Sequence, residues 1–129
     1  MRVGRDAVVT WYLRYNAVCN RHAFDELAPF LRDVLLVNGS ERTAQGYIND
    51  LFEVHRAFPG YRWEIQRVLV DEPWVAVHLA DRGTHLGPWR GAPPTGRAVT
   101  TDEFAMYRLE AGRIAEMWAT ADNARLPRG

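Results

Sequence analysis

The sequence predicts an α+β fold: a curved antiparallel sheet wrapped around helices in an α+β cone or barrel with a central apolar pocket. Three observations carry this. Apolar residues recur at helical spacing as far as Phe58, and from Tyr61 onward they recur at every second position. The chain is 129 residues long and 47% hydrophobic, enough to bury a core as a single domain over 1–129 without disulfides or a structural metal. Helical segments first and strands afterwards is the pattern of helices laid on one face of a sheet.

The elements follow in order. Val8, Trp11, Tyr12, Tyr15, Val18 and Cys19 share one helical face, which predicts an amphipathic helix over about 6–20. A second, short helix is expected over His22 to Leu31, interrupted by Pro29. Tyr47, Ile48, Leu51, Phe52 and His55 line a third, with Thr43 as its N-cap and Phe58-Pro59-Gly60 as its stop. Trp63 and Ile65 then alternate with charged neighbours in a first strand. Asp71-Glu72-Pro73 turns the chain into a second strand, Trp74 to Asp81. Thr100 to Leu109 reads as a third, and the Glu110-Ala111-Gly112 hairpin returns Ile114 to Ala121 as the fourth.

Inventory removes several classes of function. The formal net charge is zero and no basic run occurs, so nucleic acid is not an expected partner. No apolar run is long enough to span a membrane, and the single cysteine, Cys19, fits a cytoplasmic protein. Every basic residue is arginine, which excludes Schiff-base chemistry on a lysine, and Ser40 is the only serine. His22, His55, His78 and His85 show no metal-ligand spacing, so no metal is expected.

One segment departs from this regularity. RGTHLGPWRGAPPTGRAVTT, residues 82–101, holds four glycines, three prolines and a histidine. No strand-turn-helix context surrounds its glycines, so it is not a phosphate-binding loop. With the following strand FAMYRLEAGRIAEMW it resembles the SnoaL-like polyketide cyclases, also described as ester cyclases, within the superfamily sharing the fold of nuclear transport factor two. The resemblance rests on Gly83, His85, Gly91, Pro93, Pro94, Thr95, Arg108, Gly112, Glu116 and Trp118. It is detailed over Val75 to Asp122 and looser over the helices, where Asn16, Asn38 and Phe58-Pro59 fit.

The resemblance implies a small, cofactor-free protein of bacterial secondary metabolism, usually a homodimer, acting on a hydrophobic small molecule. Its best-understood members close the last ring of an aromatic polyketide, in antibiotic biosynthesis, by intramolecular aldol condensation. One group must take an acidic α-proton and return a proton to the new alkoxide, a task suited to a carboxyl of raised pKa in an apolar pocket. The family's aspartate falls at Ala119 and its supporting histidine at Ala105, and alanine can do neither task. Asn38 retains the polar position that would orient a carbonyl.

The chemistry therefore has to move. Period two puts Met117 and Ala121 on the face of Ala119, and Glu103 and Tyr107 on the face of Ala105. Phe104, Met106 and Trp118 then point to the other side, where a partner subunit would cover them. His85, Asp122, Glu103 and Tyr107 are the catalytic candidates. Beside the catalytic reading stands a structural one: His85 as a lock on its loop, Asp122 as a cap or ion-pair partner, and Glu103 as an exposed residue near a strand start. Substrate contact is expected from Asn38, His78, Trp11, Tyr15, Met117, Ala119 and Ala105.

Three functions fit this pattern. The first is a cyclase or isomerase working by acid/base chemistry with a relocated base. The second is a non-catalytic binding protein for a hydrophobic metabolite, and the third a hydroxylase-type relative that lets a substrate carbanion meet oxygen without a cofactor. The glycines and prolines of 82–101 are expected to carry one strand over into the next at the mouth of the pocket.

Overall fold

A computed structural model of the chain describes residues 4–120. Helix α1, Arg5–Asn20, buries Val8, Tyr12, Tyr15, Val18 and Cys19 of the stripe that the spacing predicts, with Asn16 beside them, while Trp11 is half-buried. Where a short helix is expected over 22–31, two single 3₁₀ turns occur, Phe24–Glu26 and Ala28–Phe30. Pro29 removes a helical N–H, while Phe24 and Leu27 are fully buried, so packing and not helix propensity fixes this segment. Strands β1, Leu31–Val37, and β2, Ser40–Thr43, form a hairpin between the helices that the sequence reading leaves unassigned. Helix α2, Ala44–Ala57, starts on Thr43, whose hydroxyl accepts from the Gly46 N–H at 2.9 Å. Arg56 in its last turn complements the helix dipole.

Four long strands complete the chain: β3, Arg62–Asp71; β4, Trp74–Thr84; β5, Ala98–Glu110; and β6, Arg113–Ala119. The sheet order is β2-β1-β6-β5-β4-β3. The four strands read from the sequence, β3 to β6, are antiparallel neighbours, as are β1 and β2; β1 and β6 alone among the described pairs run parallel. The chain reaches β1 through α1 and the 3₁₀ turns and only later returns along β6, which lets the two strands run the same way. Register breaks at Ile65/Arg67, Arg108/Leu109 and Leu31/Leu36 bend three of the strand pairs, and this curvature cups the sheet around the helices. Among the described residues no helix is long and apolar enough to cross a membrane.

The 85–97 segment joins β4 to β5, and these are antiparallel neighbours over eleven residue pairs from Trp74↔Arg108 to Thr84↔Ala98. It is thus an elaborate hairpin loop. The N–H groups of Leu86 and Gly87 both donate to the Ala57 carbonyl at 3.0 Å, fastening the loop to the end of α2. Gly87 is required there because any Cβ would run into the Arg56 carbonyl oxygen.

Candidate active site

Between the helices and the concave face of the sheet lies a cavity of about 220 Å³. All five tyrosines of the chain line it: Tyr12 and Tyr15 from α1, Tyr47 from α2, Tyr61 from the approach to β3, and Tyr107 from β5. Tyr15 and Tyr47 share a hydroxyl–hydroxyl hydrogen bond of 2.7 Å, and Tyr107 packs 5.6 Å from Tyr12 and 5.8 Å from Tyr15, ring centre to ring centre. Burial holds all five hydroxyls well above the usual phenol range, so they are donors and not bases. Burial likewise pushes the Cys19 thiol up to about 12, leaving it protonated and inert as a nucleophile.

Two carboxyls face this cavity from adjacent strands. Asp81 is 1% exposed and Glu103 6%. Leu79 stands opposite Glu103 and Asp81 opposite Thr101, so the two acids are diagonal neighbours on the inward face. Neither Asp81 oxygen makes a hydrogen bond of good geometry, although the Glu103 carboxyl and the Tyr61 hydroxyl lie within interaction range. Burial first, and then Glu103 beside it, raises the Asp81 pKa far above the carboxylate range; Tyr61 opposes this only in part. A buried carboxyl without a satisfying partner costs stability, and such groups concentrate where chemistry is done.

Of the predicted catalytic residues, Glu103 and Tyr107 line the cavity. His85 does not. It is fully buried in the β4–β5 loop, with its ring stacked on Phe58 at 5.1 Å. The Thr95 N–H donates to its Nδ1 at 3.3 Å, and its backbone bonds Arg97 and Gly96. Nδ1 is therefore assigned as the acceptor and Nε2 as the protonated nitrogen, which finds no acceptor among the described residues. Of its two readings the lock is the one the geometry supports. Asp122 lies outside the described residues.

The substrate-contact set divides similarly. Tyr15, Asn38, Met117 and Ala119 line the cavity. Asn38, in a left-handed turn conformation at φ 51°, accepts from the Ala119 N–H at 2.8 Å through Oδ1, and its Nδ2 is uncommitted among the described residues. Trp11 is outside the cavity. It stacks on Tyr15 and donates through Nε1 to the Gly112 carbonyl at 2.8 Å, pinning the β5–β6 turn. His78 is a correction as well: Val77 and Leu79 take the inward positions of β4, so His78 faces outward. There Arg67 donates to its Nδ1 at 2.8 Å, its Nε2 bonds Asp102 at 2.9 Å, and its ring stacks on Phe104 at 4.6 Å. Ala105, 2% exposed, shares the buried parity of Glu103 and Tyr107; it borders the outer groove and is not among the residues lining the inner cavity.

That outer groove, about 410 Å³, runs over Phe104, Met106 and Trp118, which are 54%, 45% and 46% exposed as the alternation predicts. Arg108, Glu116 and Trp118 join beside it: Arg108 and Trp118 both donate to the Glu116 carboxylate, at 3.1 and 2.7 Å. Asp81 is the residue that sequence reasoning missed. Its signal was available, because Val75, Val77, Leu79 and Asp81 form one period-two set and the first three are apolar.

The SnoaL-like polyketide cyclase model matches residues 9–128. No curated relative matches the chain. Among solved structures, a SnoaL-like polyketide cyclase of Agrobacterium tumefaciens is similar at 28% identity and a TM-score of 0.78, covering 91% of this chain and 95% of that one. IdmH of Streptomyces antibioticus, a candidate polyketide cyclase, is similar at 23% identity and TM-score 0.79, over 90% and 92% of the two chains. AclR of Streptomyces galilaeus, a candidate hydroxylase, is similar at 22% and 0.81, over 91% and 76%. At these last two identities the likeness is one of fold. The six-stranded curved sheet, the motif residues and the match across 9–128 agree: the chain belongs to the SnoaL-like polyketide cyclase family.

Proposed function

We propose that the protein is a cyclase or isomerase that moves a proton on an apolar, carbonyl-bearing biosynthetic intermediate, with Glu103 as base and Asp81 as acid. The observation that carries this is the pair of buried carboxyls on β4 and β5, facing a cavity lined by tyrosine hydroxyls. The Glu103 carboxylate takes the α-proton: the C–H bond breaks and its electron pair passes into the enolate. The enolate oxygen is held by a tyrosine O–H or by the Asn38 Nδ2. In a ring closure the enolate carbon then bonds a second carbonyl carbon, and Asp81 gives its proton to the resulting alkoxide. Glu103 returns the abstracted proton to Asp81, which leaves the pair as it began. No step passes through Ala105 or Ala119.

Exchange of the α-protons of β-tetralone, a two-ring ketone, into heavy water tests this by NMR. The wild-type protein is expected to accelerate exchange over buffer, and Glu103→Gln to lose about a hundredfold of it. No acceleration by the folded wild type, or undiminished rate in Glu103→Gln, overturns the assignment. The binding-protein reading, motivated by the two alanines, takes over in the first case. Oxygen uptake during turnover would mark the hydroxylase-type chemistry suggested by the likeness to AclR. We further propose that the apolar outer groove packs against a second copy of the chain, supported by the exposure of Phe104, Met106 and Trp118 on one sheet face.

A further inference from the structure

The inner cavity is small for the compounds such a fold serves. Pockets that enclose a drug-sized molecule hold roughly 300–1,000 Å³, against about 220 Å³ here. A second space adjoins the cavity along α2. Asp50 and Val54, one turn apart on α2, line the cavity and also line this second cleft, of about 550 Å³. The far side of that cleft is the Pro88-Trp89-Arg90 tip of the β4–β5 loop, and Arg56 at the end of α2 lies between.

The two regions differ in chemistry. The inner one holds buried acids and neutral hydroxyls. In the outer one Asp50 is neutralised by Arg42 at 2.6 Å, and Glu53 is the only other carboxylate of the lining. Arg56 and Arg90 form no ion pair among the described residues. Arg90 is presented by a turn closed by paired Trp89 and Ala92 backbones, with its guanidinium 5.0 Å above the Trp89 ring. Stacking on an aromatic face orients the guanidinium and leaves its N–H fork free to grip a carboxylate in bidentate fashion. Trp89 is itself 8% exposed, and its indole N–H has no acceptor among the described residues.

We infer that the cleft between α2 and the loop tip is an outer substrate subsite that takes a carboxylate-bearing extension, while the apolar, reacting end occupies the inner cavity. The inference rests on the reading of the inner cavity as the reaction site and adds the substrate class: an apolar carbonyl compound with an anionic arm. The loop that carries the family's motif then sets which substrates are accepted, without touching the reacting atoms.

Calorimetric titration with two probes tests it: naphthylbutanoate and naphthylbutanol share head and tether and differ only in the terminal carboxylate or hydroxyl. The carboxylate is expected to bind about tenfold more tightly than the alcohol. Arg56→Gln with Arg90→Gln should erase that preference while the alcohol's affinity stays within about twofold of wild type. Equal affinity of the two probes for the wild type, or a preference that survives both substitutions, overturns the outer subsite and leaves the inner cavity untouched. Failure of both probes to bind overturns the inner cavity as well. Proton exchange on β-tetralone, which has no arm, is expected to be unchanged in the arginine variants, so the two proposals fail on different measurements.

Discussion

Replacing Asp81 by asparagine turns a buried, titratable acid into a neutral group of the same shape, and its effect on stability is calculable from burial. Below about pH 4 the unfolded and folded chains both hold the Asp81 proton, and the residue contributes no pH dependence. Above that only the unfolded chain releases it, because burial and the neighbouring Glu103 hold the folded-state pKa far higher. Stability must then fall as pH rises, by up to about 1.4 kcal/mol per pH unit, until the pH reaches the folded-state value. From about pH 5 to about pH 7 the ceiling is about 3 kcal/mol, and relaxation around the pair and its shared titration reduce this to about 1.5 kcal/mol. Asp81→Asn loses this penalty. Urea denaturation followed by tryptophan fluorescence at several pH values is expected to show the variant gaining on the wild type as pH rises. Parallel stability–pH curves for the two proteins would refute the account of Asp81 as a protonated, unsatisfied acid.

Two further outcomes are expected. Gly87→Ala places a methyl group against the Arg56 carbonyl and must break the loop's two hydrogen bonds to Ala57, so thermal unfolding should report a loss of about 2–3 kcal/mol; an unchanged Tm would mean the loop is not fastened there. Met106→Glu puts a charge into the apolar outer groove between Phe104 and Trp118, and sedimentation is expected to find wild-type dimers and variant monomers. A variant that remains dimeric would move the interface elsewhere.

The parts of the fold that could be read from the chain are those where one period dominates. The α1 stripe, the Thr43 cap and the inward and outward faces of β5 and β6 all follow from local spacing, and the structure keeps them. The β1–β2 hairpin escaped because its residues obey no single period. In Leu31–Val37 only Leu31 and Leu35 are buried, and the strand runs beside β6 with a register break. Such an element is set by distant partners. Within the site, parity placed Glu103 and Tyr107 correctly, and applying it to β4 would have exposed Asp81 and turned His78 outward. His85 drew notice for its chemistry alone, yet it lies in a loop whose path no period describes.

The alanines at 105 and 119 stand directly opposite one another across β5 and β6, and Ala119 with the adjoining Asn38 lines both the inner cavity and the outer groove. At that point the sheet is a partition one backbone thick with almost no side-chain bulk. Whatever rests against the outer groove therefore bears on the floor of the inner cavity. If a second copy supplies that backing, catalytic competence becomes a property of protein concentration: specific activity should fall on dilution below the dimer dissociation constant, and recover on concentration, with no change in any residue that touches substrate.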